Sequence, residues 1–551
     1  ANGISLIGGG NGNFIEYFGD YGQYVIGQKT WQLSDSVTYM TGPHSLKFGG
    51  TLLRRDLTQQ RTQLGKGFYF FNDYGPDPSQ KGKPALGYTG YEVSDMLIGL
   101  TNFTTAANPG YVPRDTISWE NSVFAQDDWH LNPKLTLNVG LRWDVFTPYY
   151  EKNNRMANFD PVTQQLVIPD QNGATRSTLK TDWNNFGPRL GFAYLLNEKT
   201  SLRGGYGIFY SLDRGGIDRQ LTENPPAVVT EYRFSGPSSS IHLWDPIPLP
   251  TPVNPNSPVL PEGSGIVYVP ANSQTTRVQQ WNIDAEREIF SNTALMVAYV
   301  GNRGDHLAAM ITAAGFRGDV RDRLSTTMYI GTSAYNALQA SLRRSESFGL
   351  SYLASYTYGH ATNNTVGFYA GAPSGGGNAL ATDTSCVARG TQNCNLNLDR
   401  GPADYDVRNR FTLAATYALP FMRQSPVLGG WSVNMVYAYQ SGLPFTVFSN
   451  GKRVDIVGDP HQGASLGHWV DPAAFRKAAG AQGTEGRNAF RGPSTNSLDL
   501  SVFKTFTLGR PGAVELRVEG FNILNKPQYN LPNVNLGDGT FGQINGTRTN
   551  T

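Results

Sequence analysis

A nucleophile elbow is the first piece of chemistry the sequence offers. Gly463-Ala464-Ser465-Leu466-Gly467 matches G-x-S-x-G, with His461 and His468 beside it. That pattern works when a strand delivers the serine into a strained turn that opens a helix, leaving the hydroxyl clear for attack on a carbonyl. Here the flanks, HQ and HWVDP, read as loop with no apolar strand leading in, so they do not support a hydrolase. The seven histidines never pair at metal-ligand spacing on a strand or helix, and no Walker or dinucleotide glycine loop occurs. Neither enzymatic activity nor a cofactor is expected. Cys386 and Cys394, the two cysteines, lie close together in a Gly/Asn/Thr-rich loop, a spacing that closes a small disulfide in an oxidising compartment.

Charges say more through their spacing. Leu135, Leu137, Val139, Leu141, Trp143 and Val145 oppose Thr136, Asn138, Gly140, Arg142 and Asp144, and Val514, Leu516 and Val518 oppose Glu515, Arg517 and Glu519. The period is two, as in a strand with unlike faces. Charges repeated on one face of several strands are expensive against lipid but easily solvated in a polar lumen. Arg142, Asp144, Arg343, Arg410, Asp499, Glu515, Arg517 and Glu519 are therefore expected to face the interior of a barrel, as a solvated wall rather than a specific ligand site.

The stretch Tyr335 to Gly359 shows the repeating unit, two strands around a reversal at Glu346-Ser347. In the second arm Phe348, Leu350, Tyr352, Ala354, Tyr356 and Tyr358 oppose Gly349, Ser351, Leu353, Ser355, Thr357 and Gly359. An aromatic-tipped apolar face against a small, polar one suits lipid outside and water inside, whereas a soluble sandwich would turn its largest aromatics inward. The expected outward set includes Leu137, Val139, Leu141, Leu350, Tyr352 and Val518, and the inward set Asn138, Arg142, Ser351 and Arg517. Tyr210, Tyr356, Tyr358 and Trp431, near strand ends, suit an interfacial aromatic girdle.

Composition agrees. With 551 residues, 39% hydrophobic, 16% charged, 12% aromatic and 63 Gly, the chain has no linker-like change that would divide it. No apolar run approaches the roughly 18 to 20 residues of a membrane helix, and the mean hydropathy is -0.37. Any membrane crossing is made by strands. A formal charge of +2 leaves no basic stripe for nucleic acid. The first residues, ANGISLIGGGNGNF, carry no charged or apolar signal-peptide region, so either the protein stays inside or its start is missing.

About fourteen strand candidates alternate between short turns and long Gly/Pro/Asn-rich loops. That layout predicts an all-β chain, a transmembrane antiparallel β-barrel with short periplasmic turns and long extracellular loops, in contact with outer-membrane lipid. Loop aromatics Tyr69, Phe70, Tyr74, Trp244, Tyr329, Tyr369 and Trp469 are candidates to stack on a ligand, or to pack the loops together. Two other readings stay open: a complete passive porin or hydrophobic-solute channel of about fourteen strands, and a secreted β-rich adhesin or sugar-binding protein.

SAYNALQASLRR with SYTYGHATNN, DVRNRFTLAATYALPF, GGWSVNMVYAYQSGLPFTV, RNAFRGPSTNSLDLSVFKTF and LRVEGFNILNKPQYNLPN resemble the C-terminal barrel of Oar-like TonB-dependent receptors, a group abundant in Acidobacteria. SVFAQDDWHLNPKLTLNVGLRWD and QQWNIDAEREI with VAYVGNRGDHL are similar to the same family. The resemblance implies a Gram-negative outer-membrane receptor that imports a large or scarce solute, such as carbohydrate or peptide, with energy from the TonB complex. It also implies a signal peptide, a carboxypeptidase-regulatory-like domain, a TonB box, a plug and a last strand ending in an aromatic, none of which is read within residues 1–551. The expectation is that residues 1–551 form one barrel domain, incomplete at both ends, with about fourteen of about 22 strands.

Overall fold

The computed structural model describes residues 6–9, 17–18, 24–61, 68–71, 89, 92–101, 103–108, 113–211, 221–234, 241–245, 254, 260, 265–314, 323–365, 396–421, 425, 427–449, 452–479, 483–507 and 512–548. Its frame is fourteen strands: β1 (Tyr24–Thr41), β2 (His44–Arg61), β3 (Arg114–Asn132), β4 (Leu135–Phe146), β5 (Phe186–Asn197), β6 (Thr200–Ser211), β7 (Thr276–Phe290), β8 (Thr293–Ala314), β9 (Arg323–Ser347), β10 (Leu350–Asn363), β11 (Asn409–Ala418), β12 (Ser432–Gln440), β13 (Thr495–Thr507) and β14 (Ala513–Gly520). Each pairs antiparallel with the next, so the wall is an up-and-down meander in chain order. No ladder joins β14 to β1 among the described residues.

At one rim, five of the hairpins close through two residues: Gly42-Pro43, Pro133-Lys134, Glu198-Lys199, Ser291-Asn292 and Phe348-Gly349. The last of these corrects the sequence reading, which put the reversal at Glu346-Ser347. Ser347 pairs with Leu350, and Phe348 and Gly349 take φ of 56° and 83°. Two successive left-handed residues match the strand twist, and a glycine at the second makes that turn cheaper than one at Glu346-Ser347. Phe348 is thus a turn residue, 91% exposed, and not part of the outward strand face.

β8 and β9 also run further than their alternation suggests. Clear alternation lapses between Arg303 and Ala334, yet the two strands stay paired out to Ala314 and Arg323, past an irregularity at Gly304 to Ala308. Their outer parts bury Ala308, Ala309, Ile311, Leu324 and Met328. A strand covered on both faces has no reason to alternate, so period two fails where the hairpin leaves the wall.

Direct cross-strand partners in an antiparallel ladder share a face, so the registers can be followed across the sheet. One face collects Ser34, Thr51, Ser122, Asn138, Arg142, Arg189, Arg203, Glu286, Gln339, Ser351, Arg410, Asp499 and Arg517. The other collects Leu33, Val37, Phe48, Leu137, Val139, Leu141, Leu190, Ile283, Leu338, Leu350, Tyr352, Leu413, Leu500 and Val518. Trp31, Trp119, Trp129, Trp143 and Trp281, the tryptophans within the wall strands, all fall on this apolar face. Its charges sit towards the strand ends, as in Arg54 with Asp56 and His44 with Asp127. Asp35, between Leu33 and Val37, is the exception, and its carboxylate accepts from the Ser36 amide.

The wall has no core of its own. The buried clusters lie in the loop layer at the other rim, one uniting Phe159, Leu166, Ile266, Tyr268, Ile311, Leu324 and Met328, another Phe445, Val447, Val454, Phe475, Phe490 and Phe541. Within the wall, packing is local. Trp281 lies flat over Gly301, where an added Cβ would stand 2.5 Å from the indole.

Candidate functional site

The polar face of the wall is the first candidate surface. All eight charges singled out from the sequence lie on it. Arg142 Nε donates to Asp144 at 2.8 Å and its terminal nitrogen to Ser122 Oγ at 2.7 Å. Arg517 bridges Glu515 and Glu519 at 2.8 and 3.4 Å. Arg343 reaches Glu286 at 3.6 Å, and Arg203 approaches the same carboxylate at 3.8 Å. Partners the sequence reading missed, Arg55 with Glu120, Arg203 and Glu286, share the face. Their period-two positions were the available signal, diluted by glycines and hydroxyls in the same strands. Arg410 and Asp499 form no ion pair among the described residues.

The described loop aromatics fall in different surroundings. Tyr69 is buried, its hydroxyl donating to the Asp245 carbonyl at 3.0 Å. Tyr329 is buried against Met156, Leu179 and Leu221. Trp469 is half-buried and donates its indole N–H to the Arg491 carbonyl at 2.8 Å. Trp244 is 67% exposed, stacked on His242 with ring centres 4.9 Å apart. Phe70 belongs to the short strand Phe68–Phe71. Tyr74, Tyr369, Cys386 and Cys394 lie outside the described residues.

Ser465 sits in a tight loop reversal, its amide donating to the His468 carbonyl at 2.8 Å and its Oγ accepting from the His468 amide. No strand delivers it into a strained turn, so the geometry of an elbow is missing. No group of three or more His, Cys, Asp or Glu among the described residues could hold a metal.

A charge network that no local pattern announced ties two loops together. Arg487, from the β12–β13 loop, donates to Asn363 Oδ1 at 2.8 Å and to the Asp399 carbonyl at 3.2 Å, and lies 3.5 Å from Asp404. Neighbouring Asn488 donates to Asp404 at 2.6 Å. Arg491 and Arg408 both pair with buried Asp406. Glu485 Oε1 accepts from the Val447 amide at 2.8 Å and its own amide donates to the Val454 carbonyl at 3.1 Å, yet Oε2 is left without a hydrogen bond. Burial pushes its carboxyl up to about 8, against the amide hydrogen bonds and the Arg453 guanidinium that pull it down.

An antiparallel wall with one apolar and one polar face, tight turns at one rim and folded loops at the other is a transmembrane β-barrel. The chain belongs to the outer membrane beta barrel domain family, whose model matches residues 2–551, and is an integral outer-membrane protein. Comparison with curated proteins gives no match. Among solved structures, the fold is similar to the outer membrane transporter YddB from Escherichia coli, with a TM-score of 0.52 at 11% identity over 98% of this chain and 56% of that one. The FrpB iron transporter from Neisseria meningitidis (F3-3 variant) gives 0.47 at 10% identity, covering 94% of this chain and 53% of that one. The siderophore receptor PiuA from Acinetobacter baumannii gives 0.44 at 13%, covering 96% and 55%. The chain spans a little over half the length of these structures.

Proposed function

We propose that the chain is the barrel portion of an Oar-like TonB-dependent receptor that imports a large or scarce solute, with its charged face lining the lumen and its loop layer outside the cell. The observation that carries the lumen assignment is the segregation of faces across all fourteen strands: lipid cannot solvate Arg142, Asp144 or Arg517 in mid-strand, whereas water in a lumen can. Support for the TonB-dependent reading comes from the sequence resemblance, from the family match and from the fold shared with the YddB transporter. Coupling to TonB is the part that needs experiment. In the source organism, growth on a peptide or polysaccharide digest that depends on this gene should be lost when TonB is deleted or the proton gradient is collapsed. Gene-dependent growth that survives both treatments would point to the passive channel instead.

A further inference from the structure

On the charged face, β11, β12 and β13 meet the chain that follows β14, and a trough opens between them. Three rungs of the ladder floor it. Arg410, Gln440 and Thr495 share the outermost rung, Ala438 and Ser497 the next, and Asp499 the third. Beyond β14 the chain continues along β13, where the Asn522 amide donates to Asp499 at 2.7 Å, Ile523 to the Leu498 carbonyl at 2.8 Å and the Gln528 side chain to the Asn496 carbonyl at 2.6 Å. The result is a cavity of about 480 Å³, within the range of small-ligand sites.

Two of its charges lack an ion pair among the described residues, as Lys47, Arg189, Asp284 and Glu288 also do on this face. Arg142, Arg343 and Arg517 have carboxylate partners, whereas Arg410 and Asp499 have no ionic partner among the described residues. They stand four residues apart along the ladder and two strands apart across it, about 16 Å between backbones, too far to neutralise each other directly. Between them lie only neutral groups: the hydroxyls of Thr495 and Ser497, the amide of Gln440 and the small side chain of Ala438. Two opposite charges at the ends of a neutral, hydrogen-bonding trough match a dipolar ligand of similar length. An extended chain of four or five residues, at about 3.3 to 3.6 Å each, has that length and carries an ammonium at one end and a carboxylate at the other.

We propose that this trough binds the free termini of a short extended peptide, its carboxylate at Arg410 and its ammonium at Asp499. The inference rests on the reading that this face lines the lumen, and it deepens that reading by naming a solute class. Calorimetric titration of the detergent-solubilised full-length receptor with tetra-alanine tests it. Free tetra-alanine should bind, and Nα-acetylation or C-terminal amidation should each weaken binding about tenfold, the loss expected for one charge-assisted contact. Arg410→Gln should bind free and amidated peptide alike, and Asp499→Asn free and acetylated peptide alike. Should either variant fail to fold, the modified peptides on the unaltered chain decide the matter alone. No binding of free tetra-alanine, or equal binding of all its blocked forms, overturns the proposal. Because titration involves no translocation, absent binding in a chain whose gene still supports TonB-dependent growth counts against the trough only. Binding that persists while growth proves independent of TonB counts against the transport reading only.

Discussion

Glu485 holds its proton well above the ordinary carboxylate range inside the loop layer. Its folded value of about 8 lies above its ordinary 4.5, so the folded protein holds that proton more tightly than the unfolded chain. The associated stability is fully present below about pH 4.5 and is lost as pH rises through about 8. At about 1.4 kcal/mol per unit the loss amounts to a few kcal/mol. Proteolysis of the loop layer should therefore be slower at pH 5 than at pH 9, and Glu485→Gln should flatten that difference; a variant with the original pH dependence would assign it to another group. Gly301 tests packing in the same way. With the Trp281 ring 2.5 Å from any added Cβ, Gly301→Val should cost about 1 to 3 kcal/mol in denaturant titrations of folding into vesicles. Pairing it with Trp281→Ala should recover part of that cost, which a purely conformational effect of glycine would not allow.

At the scale of the strand, adjacent residues meet different solvents. Leu141 and Asn138 belong to one strand, β4, and to opposite faces. An arginine at the first should cost about 2 to 4 kcal/mol near the bilayer centre, while an arginine at the second should fall within roughly 0.5 kcal/mol. Denaturant midpoints for folding into vesicles measure both, and equal penalties would contradict the assignment of faces. The same face puts Trp31, Trp119, Trp129, Trp143 and Trp281 against lipid, so brominated acyl chains should quench most of the wall's fluorescence. Quenching by aqueous iodide with none by brominated lipid would reverse the wall.

For the whole molecule, the division is between a wall without a core and a loop layer that has one. The wall rests on continuous ladders, the layer on apolar clusters and on the buried charges that join the β10–β11 and β12–β13 loops. Arg487 is the bolt between those loops. Its removal leaves Asp404 and Asp399 with one cation fewer, a change that typically costs about 3 to 5 kcal/mol when the pair is buried. Arg487→Ala should expose both loops to protease together while the wall keeps its resistance to SDS at low temperature. Cleavage confined to one loop would show that the two fold separately.

By itself the sequence determined the wall: fourteen strands, their pairing order and the two faces follow from period-two alternation, because each strand residue meets one of two unlike solvents and records which. The reversal in the β9–β10 hairpin was legible to within two residues, its turn at Phe348-Gly349 falling where backbone handedness outweighed the polarity of Glu346 and Ser347. Tertiary structure alone decided the rest. The outer halves of β8 and β9 are covered on both sides, so alternation vanished from them. The aromatics Tyr69, Tyr329 and Trp469 could not be sorted into packing or exposure by type. Arg487 lies more than eighty residues from Asp404 and Asp399, all three in irregular loops, and Arg410 lies as far from Asp499 on a separate strand, so only the folded chain sets which charges are neutralised and which are left to meet a ligand.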